Sequence, residues 1–280
     1  MKTKALPFYA VLFLFIFLGI QLGVSVIATV VGILVTKDFT MGFASDSVFT
    51  LVTLAVSAVV TIAVFLLTKW TVVSRNYILT RPWTVLFWTV IASLGAIVPS
   101  IYIQEFIEWP QWMTDFFSSE ETMKVLTGLL GTTGGAFVIV ILQPLAEEIV
   151  FRGAILRTLL RWKPEHRWLI ITLSALLFAL AHMNPMQFIH PFLIGLLLGW
   201  MYERTGSIIP GVAYHWINNA AAVVLSLLYP QDDPMADVRL SDIWGEGRVY
   251  LAIVFSLCIF LPALYQLNRT MKRADEQQRM

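Results

Sequence analysis

The chain is short of charge. Only 13% of its 280 residues are Asp, Glu, Lys or Arg and 58% are hydrophobic, where a soluble domain carries about 25% charged and about 45–50% apolar residues. That deficit excludes a soluble enzyme, a disordered chain and a nucleic-acid binder. Basic and acidic residues nearly cancel, 19 against 18, and a net charge of +1 leaves no global field to steer polyanions. A lone cysteine, Cys258, excludes an internal disulfide and any cysteine-cluster zinc site. No internal repeat or low-complexity tract stands out, which weighs against a transporter built from repeated halves.

Long apolar runs are plentiful. A membrane helix needs about 20 mainly apolar residues, and eight stretches are candidates: Phe8–Val35, Val48–Leu67, Trp83–Ile103, Val125 onward as far as Trp162, Trp168–Ala181, Phe188–Tyr202, Ile208–Tyr229 and Val249–Leu267. The fifth and sixth are short. The first is too long for the apolar region of a secretory signal, about 7–15 residues, and reads as a retained span. The expected fold is an all-α, polytopic membrane helix bundle of about eight transmembrane helices. Three regions are expected: N-terminal spans over 1–120, a catalytic core over 121–230, and a C-terminal span with a cytoplasmic tail over 231–280.

Basic residues mark cytoplasmic loops. With eight spans and both termini cytoplasmic, about fifteen of the 19 Lys and Arg fall inside, among them Lys2, Lys4, Lys69, Arg75, Arg81, Arg152, Arg157, Arg161, Lys163, Arg167, Arg204, Arg269 and Lys272. The outer segments are acidic, with Glu105, Glu108, Asp115, Glu120, Glu121, Asp232, Asp233, Asp237, Asp242 and Glu246. The location this predicts is the cell membrane. The outer stretch Glu105–Lys124, with Trp109, Trp112, Phe116 and Phe117, reads as an aromatic belt at the interface.

Ionisable groups within spans are expensive and mark function unless a structural role accounts for them. They gather in the second half of the chain. In Gln143-Pro144-Leu145-Ala146-Glu147-Glu148-Ile149-Val150-Phe151-Arg152-Gly153, Glu148 and Arg152 share a helix face at i,i+4 and can neutralise each other. Glu147 lies about 100° around the helix and has no partner at helical spacing. An ion pair that packs a helix accounts for Glu148 and Arg152 but leaves Glu147 free to exchange protons. Phe178 and His182 repeat the i,i+4 spacing at the end of the fifth run; His182 alone reads more readily as an interfacial residue. His215 and Asn219 form a third such pair, which could equally be interhelical glue, and Asn218 faces elsewhere. His190 is ambiguous. Glu203 and Arg204 read as a solvated helix end. Gly195 to Gly199 and Gly128 to Ala136 read as close-packing surfaces.

The three motifs in order, E-E-x-x-x-R at Glu147, Glu148 and Arg152, F-x-x-x-H at Phe178 and His182, and H-x-x-x-N at His215 and Asn219, resemble those of the CPBP family. These are intramembrane proteases that include the CAAX-processing Rce1-type enzymes and bacterial Abi proteins. The resemblance covers about Gly135 to Val224; the first three spans and the tail lie outside it. It implies an intramembrane endopeptidase in which Glu147 and His182 activate a water, His215 and Asn219 stabilise the oxyanion, and Glu148, Arg152 and Phe178 support them. A water-activating base and oxyanion donors are what peptide hydrolysis needs. The alternative is a non-catalytic scaffold or bacteriocin-immunity protein on the same fold.

Family members are often labelled metalloproteases, yet the chain lacks H-E-x-x-H, the G-x-S-G of rhomboid-type serine proteases and the G-x-G-D of aspartyl intramembrane proteases. If a metal were held, its ligands would be Glu147, His182 and His215, and zinc the metal. The reading adopted is that no cofactor is obligatory, because a zinc site would leave no free carboxylate as base except Glu148, already committed to Arg152. The expected partners are a peptide or membrane-protein substrate and the lipid bilayer, with no nucleic acid.

Overall fold

A computed structural model describes residues 6–39, 46–73, 75–105, 107–117, 120–228 and 240–272. The described residues are mainly helical, without strands. The helices are α1 (Leu6–Thr36), α2 (Ser47–Leu67), α3 (Arg75–Leu79), α4 (Trp83–Glu105), α5 (Gln111–Phe117), α6 (Glu120–Leu130), α7 (Thr133–Trp162), α8 (Arg167–Ala181), α9 (Ile189–Thr205), α10 (Ile209–Leu228), α11 (Leu240–Trp244) and α12 (Glu246–Thr270). Six of these, α1, α2, α4, α7, α10 and α12, are long and apolar enough to cross a bilayer. Their outward faces carry large exposed apolar side chains such as Phe15, Leu67 and Phe255, the arrangement of a protein solvated by lipid. The chain is a multi-pass membrane protein.

Six of the eight expected spans are long helices among the described residues, and the other two, α8 and α9, form a short hairpin. With 15 and 17 residues, α8 and α9 rise only about 22 and 26 Å at 1.5 Å per residue, less than the hydrocarbon thickness of about 30 Å. The hairpin is tightly closed. A Cβ on Gly195 would sit 2.9 Å from the Ala175 Cβ, and one on Gly199 would sit 2.9 Å from Ile171 Cγ2, so the small residues of α9 let it lie directly on α8. The hairpin ends at Gly206, whose φ of +67° is the left-handed conformation that stops a helix and favours glycine.

The fourth apolar run is broken where one helix was expected. α6 ends at Leu130, and the Thr132 hydroxyl then caps α7 by accepting from Gly135 N. Within α7, Val138–Leu142 and Ile149–Leu156 are π-helical, and the α-helical turns of Gln143–Glu148 lie between them. This helix is the core of the molecule. Ile149 to Leu156 is buried without interruption, against α1, α2 and the α8–α9 hairpin. A second cluster joins α4, α9, α10 and α12 through residues such as Ala92, Leu198, Tyr214 and Ala263.

Arg152, expected among the inner charges, is 1% exposed in the middle of α7. Lys2, Lys4, Asp232, Asp233, Asp237 and Arg239 fall outside the described residues, as does the tail from residue 273. Trp112 and Phe116 of the expected aromatic belt are exposed on α5.

Candidate active site

α7 carries the two carboxylates on different sides of one turn. Glu148 is fully buried, and its Oε1 accepts from Arg152 Nη1 at 2.6 Å. The guanidinium of Arg152 is held from two further directions. Nη2 lies 3.5 Å from the Gly195 carbonyl, and the charge sits over the Phe178 ring, 4.4 Å from its centroid. The three supporting residues thus form one buried assembly. It is packed tightly: a Cβ on Gly211 of α10 would come within 2.8 Å of Glu148 Oε2, so glycine there lets α10 approach the carboxylate.

Glu147 points elsewhere. It lines a cleft of about 830 Å³ whose walls include Phe17, Gln21 and Ser25 of α1, Gln143 and Phe151 of α7, and His182 at the end of α8. Its side chain keeps 20% exposure while that of Glu148 has none. The two carboxylates that the sequence set about 100° apart are separated into a paired, dry one and one facing open space.

His215, from α10, bridges them. Its Nδ1 lies 3.3 Å from Glu148 Oε1 and its Nε2 lies 3.7 Å from Glu147 Oε2. The imidazole is 8% exposed and stands edge-on to Phe178 with centroids 6.0 Å apart. His182 meets the same ring edge-on at 5.0 Å, and its Nδ1 pairs with the Phe178 carbonyl at 2.9 Å. That bond uses Nδ1 as the donor and leaves Nε2 for the cleft. Phe178 thus orients both histidines and the arginine.

Asn219 is more engaged than the sequence suggested. Its Nδ2 donates to the Ile139 carbonyl at 3.0 Å, and its Oδ1 accepts from Asn218 at 3.3 Å. An amide nitrogen has two hydrogens, so one N–H remains. One turn away, Trp216 Nε1 donates to the Ile141 carbonyl at 3.0 Å. Both acceptors belong to the π-helical turn, so α10 is fastened to α7 just before the glutamates. Sequence reading missed this role of Trp216, and it missed the residues of α1 that wall the cleft. A tryptophan inside a helix carries no signal of its partner, and α1 lies outside the motifs altogether.

Among the described residues, no three His, Cys, Asp or Glu side chains come together in a group that could hold a metal. The alternative set Glu147, His182 and His215 is not assembled as a ligand cluster, although Glu147 approaches His215 and shares a cleft with His182.

Residues 130–221 match the Rce1-like family, described as type II CAAX prenyl endopeptidase Rce1-like. The matched segment contains Glu147, Glu148, Arg152, Phe178, His182, His215 and Asn219, and it bears out the resemblance to the CAAX/CPBP intramembrane proteases. No curated protein and no solved structure matches the chain.

Proposed function

From the place of residues 130–221 in the Rce1-like family, we propose that this chain is an intramembrane endopeptidase acting through a water held between Glu147 and His182. The observation that carries the reading is the separation of the two carboxylates. Glu148 is spent on Arg152, whereas Glu147 opens on a cleft that it shares with His182. A scaffold has no need of that second, costly group.

In this mechanism Glu147 takes a proton from the water while His182 orients it, and the resulting hydroxide attacks the peptide carbonyl. Oxygen then carries negative charge. With both nitrogens protonated, His215 donates through Nδ1 to Glu148 and holds Nε2–H beside Glu147, 3.7 Å from its Oε2. The charges of Glu147, Glu148, Arg152 and His215 then sum to zero within the membrane. The second N–H of Asn219 is the other oxyanion donor. Glu147 returns its proton to the departing amine. Each side chain has a use without a metal, and the proposal includes no obligatory one. The cleft is broad and lined largely by apolar side chains, which suits a hydrophobic peptide.

The test compares the proteomes of cells carrying the wild type and Glu147→Gln, matched for folded protein. Loss of at least one cleavage product is expected with the variant. Identical products at equal expression would overturn the catalytic role of Glu147.

A further inference from the structure

A second pocket, of about 310 Å³, adjoins the site and differs in character from the cleft. It lies between α4, the tip of the α8–α9 hairpin and α10, and its polar lining is Ser100, Gln104, Gln187, His190 and Asn218, together with His182. His182 also lines the Glu147 cleft, so one imidazole is the wall common to both. Asn218 pairs with His190 Nε2 at 3.3 Å, while His190 Nδ1 is buried without a hydrogen-bond partner. Buried polar atoms are almost always satisfied, and a roomy polar pocket satisfies them with water. Gln187 and Ala222, at the rim, are exposed. A row of uncharged donors and acceptors also suits an unwound peptide, whose backbone groups find no partner in lipid.

The pocket also has a side. Gln104 is in the last turn of α4, and His182 and His190 are at the tip of the hairpin. Acidic residues gather at this end of the bundle. Glu105 accepts from Leu240 N at 2.7 Å, and Glu108, Asp242 and Glu246 are adjacent in the chain. The opposite ends of the same helices carry Arg81, Arg161, Lys163, Arg167, Arg204, Arg269 and Lys272. By the positive-inside rule that basic end is cytoplasmic.

We propose that this pocket is the aqueous entrance of the catalytic site and opens on the extracytoplasmic face, so that the peptide reaching His182 is presented from that face. The identity of what enters rests on the proteolytic reading; the wetness and sidedness of the pocket do not.

The deciding experiment is thiol accessibility in intact cells, on the full chain with Cys258→Ala. Single cysteines are placed in the pocket (Ser100→Cys), on its rim (Gln187→Cys, Ala222→Cys), on the lipid face of α12 (Leu251→Cys) and at the basic end (Lys163→Cys). The probe is a small, charged, membrane-impermeant thiol reagent. A thiol reacts as its thiolate, which forms in water and not in lipid, so the pocket positions should label at least about tenfold faster than Leu251→Cys. Lys163→Cys should label only after permeabilisation. Gel filtration excludes any variant that does not fold, and three pocket and rim positions guard against losing one. Pocket labelling only after permeabilisation, or no faster than at Leu251→Cys, would overturn the proposal. Outside labelling with no cleavage product lost in Glu147→Gln cells would instead leave the entrance standing and remove the proteolysis.

Discussion

The buried ion pair offers the sharpest quantitative test. Glu148 and Arg152 are both essentially inaccessible and meet at 2.6 Å, so solvent screens neither. Removing one partner of such a pair typically costs about 3–5 kcal/mol, because the other charge is stranded. The structure predicts an asymmetry between the two single variants. In Glu148→Gln, Arg152 keeps the Gly195 carbonyl and the Phe178 ring, a desolvated cation–π contact of about 2 kcal/mol, but has lost its counter-charge. In Arg152→Met that contact is lost, yet Glu148 retains the His215 ring nitrogen at 3.3 Å as a hydrogen-bond partner. Glu148→Gln should therefore be the more damaging single change. The double variant Glu148→Gln/Arg152→Met strands no charge and should be more stable than either, with a coupling energy of about 3 kcal/mol. Reversible unfolding in mixed micelles gives the four stabilities, with folded yield from gel filtration as a second readout. Strictly additive effects of the two substitutions would refute the claim that they form one electrostatic unit.

Four further outcomes are expected. Reporter fusions should place Lys163 in the cytoplasm and Asp233 outside; both on one side would break the topology. Gly195→Val should destabilise the α8–α9 hairpin by about 1–3 kcal/mol by overpacking against Ala175, read as a lower unfolding midpoint. Trp216→Phe should remove one hydrogen bond to Ile141, about 1 kcal/mol, and reduce cleavage while leaving the protein monodisperse on gel filtration. Purified protein stripped of metal should still cleave a product identified by the proteomic comparison; stoichiometric zinc, with activity lost on stripping and restored by zinc alone, would reverse that expectation.

What was legible in the sequence was local. Glu148 with Arg152, Phe178 with His182, and His215 with Asn219 are each within one helical turn, where spacing alone fixes a shared face. The separation of Glu147 from that pair follows from the same geometry. The contacts that assemble the site are not local. His215 reaches the glutamates across 67 positions, Asn219 reaches Ile139 across 80, and Asn218 reaches His190 across 28; no periodicity encodes such distances. Asn218, which spacing set aside as facing elsewhere, does face elsewhere, into the polar pocket. Hydrophobic length located the six long helices, but length could not show that α8 and α9 close into one tight hairpin. Nor could it show the π-helical turns of α7, since an apolar run reads alike in either winding.

Those turns bear on how the chain tolerates changes in length. A π-helical turn accommodates roughly one residue more than the α-helical turn it replaces. Deleting one residue from Val138–Leu142 therefore need not break α7; the helix can absorb the loss by reverting to ordinary winding. The residues on either side would then keep their faces, but the Ile139 and Ile141 carbonyls lie inside the rewound turn and would no longer meet Asn219 and Trp216. A one-residue gap here would leave a helix that inserts and spans as before, with its fastening to α10 undone.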